Sequence, residues 1–158
     1  MSNTKTITTL LGGLAGAVAV TFLNETLRKT RLQEDAPQLQ KLGMDAGKKI
    51  LKKAGAEVPS EEKLYWGTML GDLVANTLYY AAAAGGGSKA ARTTAMGLLA
   101  GIGGVVLPKT LGLKTAPSGL NAKRKLLTTA YYLVGAWVAG IVTHKLTEVT
   151  EVTEVTEA

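Results

Sequence analysis

The sequence predicts an all-α, polytopic membrane fold: four transmembrane helices in a glycine-rich bundle, with an amphipathic basic helix in the first long loop. Three observations carry this. Four apolar stretches are long enough as helices, at ~1.5 Å rise per residue, to approach the ~30 Å hydrocarbon core of a bilayer. The 18 Lys and Arg and 12 Asp and Glu crowd into the links between those stretches, whereas a soluble bundle would spread charge along one face of every helix. Glycine and alanine recur four residues apart in each stretch, which bares backbone on one face and lets another helix approach closely.

The chain divides into a membrane domain, 1–146, and an acidic low-complexity tail, 147–158. The first span, about 7–27, pairs Gly12 with Gly16 and Gly13 with Ala17. A long polar link follows, with an amphipathic helix expected at about 36–54. Asp35 and Pro37 suit its start and Gly55 its end. Leu39, Leu42, Ala46 and Ile50 share one face of it, and Lys41, Lys48 and Lys52 another. Such a helix lies on an anionic membrane surface, presenting Lys48, Lys49, Lys52 and Lys53, or folds onto the end of the bundle. Gly43 and Gly47 weaken it as a helix.

The second span, about 61–84, is the one the others are expected to surround. Ser60 can cap it, and Glu61 and Glu62 complement its positive end. Tyr65 and Trp66 at its entry and Tyr79 and Tyr80 toward its exit suit the two membrane interfaces. Gly67 and Gly71 repeat the small-residue spacing, and Gly85–Ser88 break the helix. The third span, about 90–107, carries Gly97 and Gly101, and either stops near Pro108 or passes through it with a kink. The fourth, about 126–144, pairs Gly135 with Ala139 and Ala136 with Gly140. The tail, TEVTEVTEVTEA, has a three-residue period matching neither helix nor strand, so it reads as disordered or as one or two further turns. LLGGLAG at Leu10–Gly16 echoes LLAGIGG at Leu98–Gly104, a weak sign of duplication.

Four spans put both termini on one side. Loops 24–63 and 109–125 carry nine and five Lys or Arg, against Lys5, Lys89, Arg92 and Lys145 opposite. The long basic loops are therefore expected to be cytoplasmic and both termini extracytoplasmic. The net charge of +6 accordingly bears on orientation and lipid contact rather than on nucleic acid. The absence of cysteine removes disulfide and thiolate-metal chemistry.

Asp72 is the sharpest candidate for a functional side chain, because a carboxylate inside a span is costly. Asn76, Tyr79 and Tyr80 follow on its face, making an intramembrane polar site. Lys109 and Arg28 are its possible charge partners. The group is either a polar clasp between helices or a proton or ion relay. Asn24, Glu25 and Arg28 form a second cluster, either an interfacial ion pair at i,i+3 or a polar vestibule shared with Asp72 and Lys109. His144, the single histidine, stands at a membrane edge without further ligands, so no metal site is expected. Gly101-Ile102-Gly103 lacks the third glycine of a dinucleotide loop, and GGGSK lacks the order of a phosphate loop. No cofactor is implied.

With NETLRKT, the LGM of the first link, LGDLVANTLYY and VLPKTLGLKTAPS in view, the chain resembles a family of small bacterial integral membrane proteins with four spans. The resemblance covers most of residues 7–143 and implies the bacterial inner membrane, but no activity. The function expected is a non-enzymatic structural or interaction role, with the lipid bilayer and a second copy or another membrane protein as partners. The alternatives are a small channel or proton-coupled transporter using Asp72, and, more weakly, a lipid- or pigment-binding module around Tyr131, Tyr132 and Trp137.

Overall fold

The computed structural model describes residues 2–29, 39–85, 90–113 and 121–156. They form five helices: α1 (Ser2–Arg28), α2 (Leu39–Lys53), α3 (Glu61–Ala84), α4 (Ala90–Thr110) and α5 (Ala122–Thr156). Among the described residues there is no strand. Asp35, Pro37 and the glycine turn beyond Gly85 lie outside the described residues.

Three helices are long and apolar enough to cross a membrane: Asn3–Leu27, Ala90–Thr110 and Ala122–Thr153. The second segment is not among them. α3 has the length, at 24 residues, but Asp72, Asn76 and its aromatic and hydroxyl residues dilute its hydropathy. The central position falls to α5, which lies between α1 and α4, while α3 packs chiefly on α1. α2 folds onto the start of α3.

The distribution of residue types is the inverse of a soluble core. Ile7, Leu11, Leu14, Val18 and Phe22 of α1 project outward, Phe22 being 68% exposed. The interior holds Ala17, Ala83, Ala136 and Ala139 with Thr8, Thr93, Thr128 and Thr143. Lipid offers no hydrophobic drive between helices, so close backbone approach and hydrogen bonds hold such a bundle. The glycines show how close. A Cβ on Gly12 would overlap the side chain of Thr143, and one on Gly16 the backbone of Gly135. On the adjacent face of α1, a Cβ on Gly13 would strike the backbone of Thr77 and Ala81 in α3. Gly97 would meet Ala136 at 2.8 Å, and Gly101 would meet the Cα of Thr129 at 2.5 Å. Gly140 would sit 3.1 Å from Thr93.

Gly67 and Gly71 depart from this pattern. A Cβ on either meets nothing within 4 Å, so the contact face expected there is uncovered, because α3 turns its other side to α1. Gly43 and Gly47, expected only to weaken α2, serve instead as its seat on α3. A Cβ on Gly47 would lie 2.8 Å from Thr68.

The helix ends differ in detail from expectation. Ser60 precedes α3 but makes no side-chain cap bond. α2 ends as expected at Gly55, with φ +70°. There Gly55 N–H donates to Lys52 O at 3.2 Å and Ala56 N–H to Leu51 O at 2.9 Å, a Schellman closure. α4 passes through buried Pro108 and closes in the same way at Gly112, φ +64°. α5 runs unbroken to Thr156, further than the one or two turns expected. Its threonines recur along the helix and return their hydroxyls to it: Thr147 donates to Thr143 O at 2.8 Å and Thr150 to Leu146 O at 3.0 Å.

Candidate functional site

Where α1 ends and α3 begins, the N-terminal part of α2 roofs a cavity of about 50 Å³. That is room for a few waters, since one needs roughly 10–15 Å³. α1 contributes Thr21, Asn24 and Glu25, α2 contributes Gln40, and α3 contributes Tyr65, Thr68 and Asp72. Helical spacing explains the α3 set, because Tyr65, Thr68 and Asp72 fall at i, i+3 and i+7.

The hydrogens of the lining groups are largely committed. Thr21 Oγ donates to Ala17 O at 3.1 Å, Thr68 Oγ to Tyr65 O at 3.1 Å, and Gln40 Nε2 to the Tyr65 hydroxyl at 2.8 Å. The Asn76 side chain hydrogen-bonds Asp72. Asn24 is 5% exposed, and its Oδ1 is buried with no hydrogen-bond partner. What remains is the Asn24 and Asp72 oxygens together with the Tyr65 O–H, which accepts from Gln40 and keeps its own hydrogen.

Of the sequence candidates, the cavity brings together Asp72, Asn24 and Glu25. Asp72 is exposed on the flank of α3 and makes no ion pair among the described residues. Lys109 is exposed near the end of α4 and does not line the cavity. The Arg28 side chain lies outside the described residues. Tyr79 and Tyr80 are committed as clasps. The Tyr79 hydroxyl donates to Met96 O of α4 at 2.7 Å, and the fully buried Tyr80 hydroxyl to Tyr132 O of α5 at 3.1 Å. The sequence offers a vestibule joining Asn24 and Glu25 with Asp72 and Lys109 as one of two alternatives, and the structure brings all of these but Lys109 to the cavity. Sequence reasoning missed Thr21, Gln40 and Thr68, whose only signal is a hydroxyl or amide one turn from a flagged residue.

The lysines of α2 divide. Lys48 lies 3.8 Å from Glu61. Lys49 Nζ donates to the carbonyls of Leu111 and Gly112, the latter at 3.2 Å, so it holds α2 to the negative end of α4. Lys52 and Lys53 are exposed. His144 is exposed, with Nδ1 3.5 Å from Glu148. The Trp137 indole N–H donates to Thr94 Oγ at 2.9 Å, a bond between α5 and α4. Among the described residues, no group of three His, Cys, Asp or Glu could hold a metal ion. Comparison with protein-family models, with curated proteins and with solved structures finds no match to this chain.

Proposed function

We propose that the protein is a non-enzymatic structural or interaction component of the bacterial inner membrane, in which α3 crosses the bilayer as a fourth span and mediates self-association. The observation that supports this is the uncovered face of α3. Gly67, Gly71 and Ala75 form a shallow groove on it, all exposed. Beside the groove runs a ridge of Trp66, Leu70, Val74 and Leu78, 50–61% exposed. The Gly12, Gly16, Gly97 and Gly101 faces are closed on a neighbour; this one has both a ridge and a groove free. Two copies related by a twofold axis can set each ridge into the other's groove, with close approach of small residues stabilising the pair in lipid. In this reading the bias of Lys and Arg in the long links favours those loops in the cytoplasm, with both termini outside.

The chain has no cysteine, so Gly71→Cys or Ala75→Cys reports cleanly on the interface. Oxidation in native membranes is expected to trap a dimer through either position. Leu14→Cys, on the outer face of α1, is the control expected to remain monomeric. Monomer at positions 71 and 75 overturns the reading.

The cavity beside Asp72 supports a second reading, a small channel or proton-coupled transporter using Asp72. Reconstituted vesicles decide it: loss of a cation or proton flux in Asp72→Asn supports it, and an unchanged flux in a stable variant removes it.

A further inference from the structure

The cavity between α1, α2 and α3 has a chemical imbalance that its own residues leave unresolved. Thr21 and Thr68 spend their hydroxyl hydrogens on Ala17 O and Tyr65 O, and one Gln40 amide N–H goes to the Tyr65 hydroxyl. Asn24 Oδ1 is buried in a 95% buried residue and has no donor. The Asp72 carboxylate lines the same space and makes no ion pair among the described residues. A buried acceptor left unmade leaves the full desolvation of that group uncompensated, and a carboxylate in a membrane helix calls for a countercharge or water. The Asn24 and Asp72 oxygens repel an anion, and an apolar guest would strand them. A small cation meets several oxygens at once and offsets the carboxylate.

We propose that this cavity binds a monovalent inorganic cation, coordinated by Asn24 Oδ1 and the Asp72 carboxylate, with the threonine hydroxyl oxygens and water completing its shell. The volume of about 50 Å³ admits one such ion with a water or two, since a water-sized sphere takes roughly 10–15 Å³. The roof is α2, which Gly43 and Gly47 seat on Thr68. An occupant would therefore tie three helices together. The inference rests on neither self-association nor flux, because it requires only equilibrium occupancy.

Occupancy stabilises the fold by mass action. The test is thermal unfolding of the full chain in detergent at constant ionic strength, with sodium, potassium or ammonium chloride titrated against N-methyl-D-glucamine chloride. The wild type is expected to show a saturable upward shift of Tm with at least one small cation. That shift is expected to be lost in both Asp72→Asn and Asn24→Ala. Asp72→Asn is isosteric and keeps a side chain that can hydrogen-bond Asn76, and the cation-dependent difference is read separately from any change in baseline Tm. Equal Tm in every salt means the cavity holds only water and overturns the proposal. A shift that survives both substitutions places the ion elsewhere and overturns it too. The three salts, compared in the wild type, identify which cation the site takes.

Discussion

Substituting Gly16 by alanine tests whether close backbone contact holds the bundle together. The added Cβ overlaps the carbonyl oxygen of Gly135, sits 2.9 Å from Ala139 Cβ and 3.1 Å from a ring carbon of Tyr80. Carbon atoms pack at ~3.5–4.0 Å, so α1 and α5 must separate by about 0.5–1 Å at this level. Overpacking of this kind costs ~1–3 kcal/mol. Replacing a helical glycine also returns about 0.5–1 kcal/mol of backbone entropy. Gly103→Ala receives that return without the clash, because its Cβ would meet only Leu107 Cδ1, at an ordinary 3.5 Å. The difference between the two variants isolates packing, and it corresponds to a Tm lower in Gly16→Ala by on the order of 5 °C. Thermal unfolding in detergent, followed by far-ultraviolet circular dichroism, measures it. A Gly16→Ala protein as stable as Gly103→Ala would refute close packing as the source of cohesion.

Three further outcomes are expected. Tyr80→Phe removes the hydroxyl donated to Tyr132 O and should cost about 1 kcal/mol, seen as a lower Tm with an unchanged helical spectrum. Gly112→Ala forces a side chain into the left-handed region at φ +64° and should cost ~1 kcal/mol. Hydrogen exchange should then quicken in the last turn of α4, and Lys49→Met should quicken it at the same turn. With Trp137→Phe, Trp66 remains the single tryptophan, and bromine placed on lipid chains should quench its fluorescence strongly if α3 faces the bilayer. Unquenched fluorescence would take α3 out of the membrane.

Much of the architecture follows from composition and period alone. Apolar stretches separated by charged links mark the helices, and the Gly12/Gly16, Gly97/Gly101, Gly135/Ala139 and Ala136/Gly140 spacings mark faces that meet neighbours in the structure. These are local properties: helical geometry places residues four apart on one face whatever the rest of the chain does. The glycine closures of α2 and α4 are local too, though only Gly55 was foreseen.

Which face meets which neighbour is not local. Gly67/Gly71 has the same spacing as Gly12/Gly16, yet one is open and the other closed, because a pattern on one helix carries no record of the rotation chosen by its partner. The same holds for Asp72. Its place as the single charge in an otherwise uncharged stretch marks it as costly, but the oxygens around it come from α1 and α2, far apart in sequence. Asn24 reads as an interfacial residue until α2 is laid over it, and Gly43 and Gly47 read as helix weakeners until Thr68 stands against them. The sequence by itself determined the helices, their apolar lengths and their small-residue faces, through backbone geometry and hydropathy. Tertiary packing alone decided that α5 is central, that one face of α3 is left uncovered, and that Asn24 and Asp72 share a cavity, because each depends on how separate helices rotate and dock.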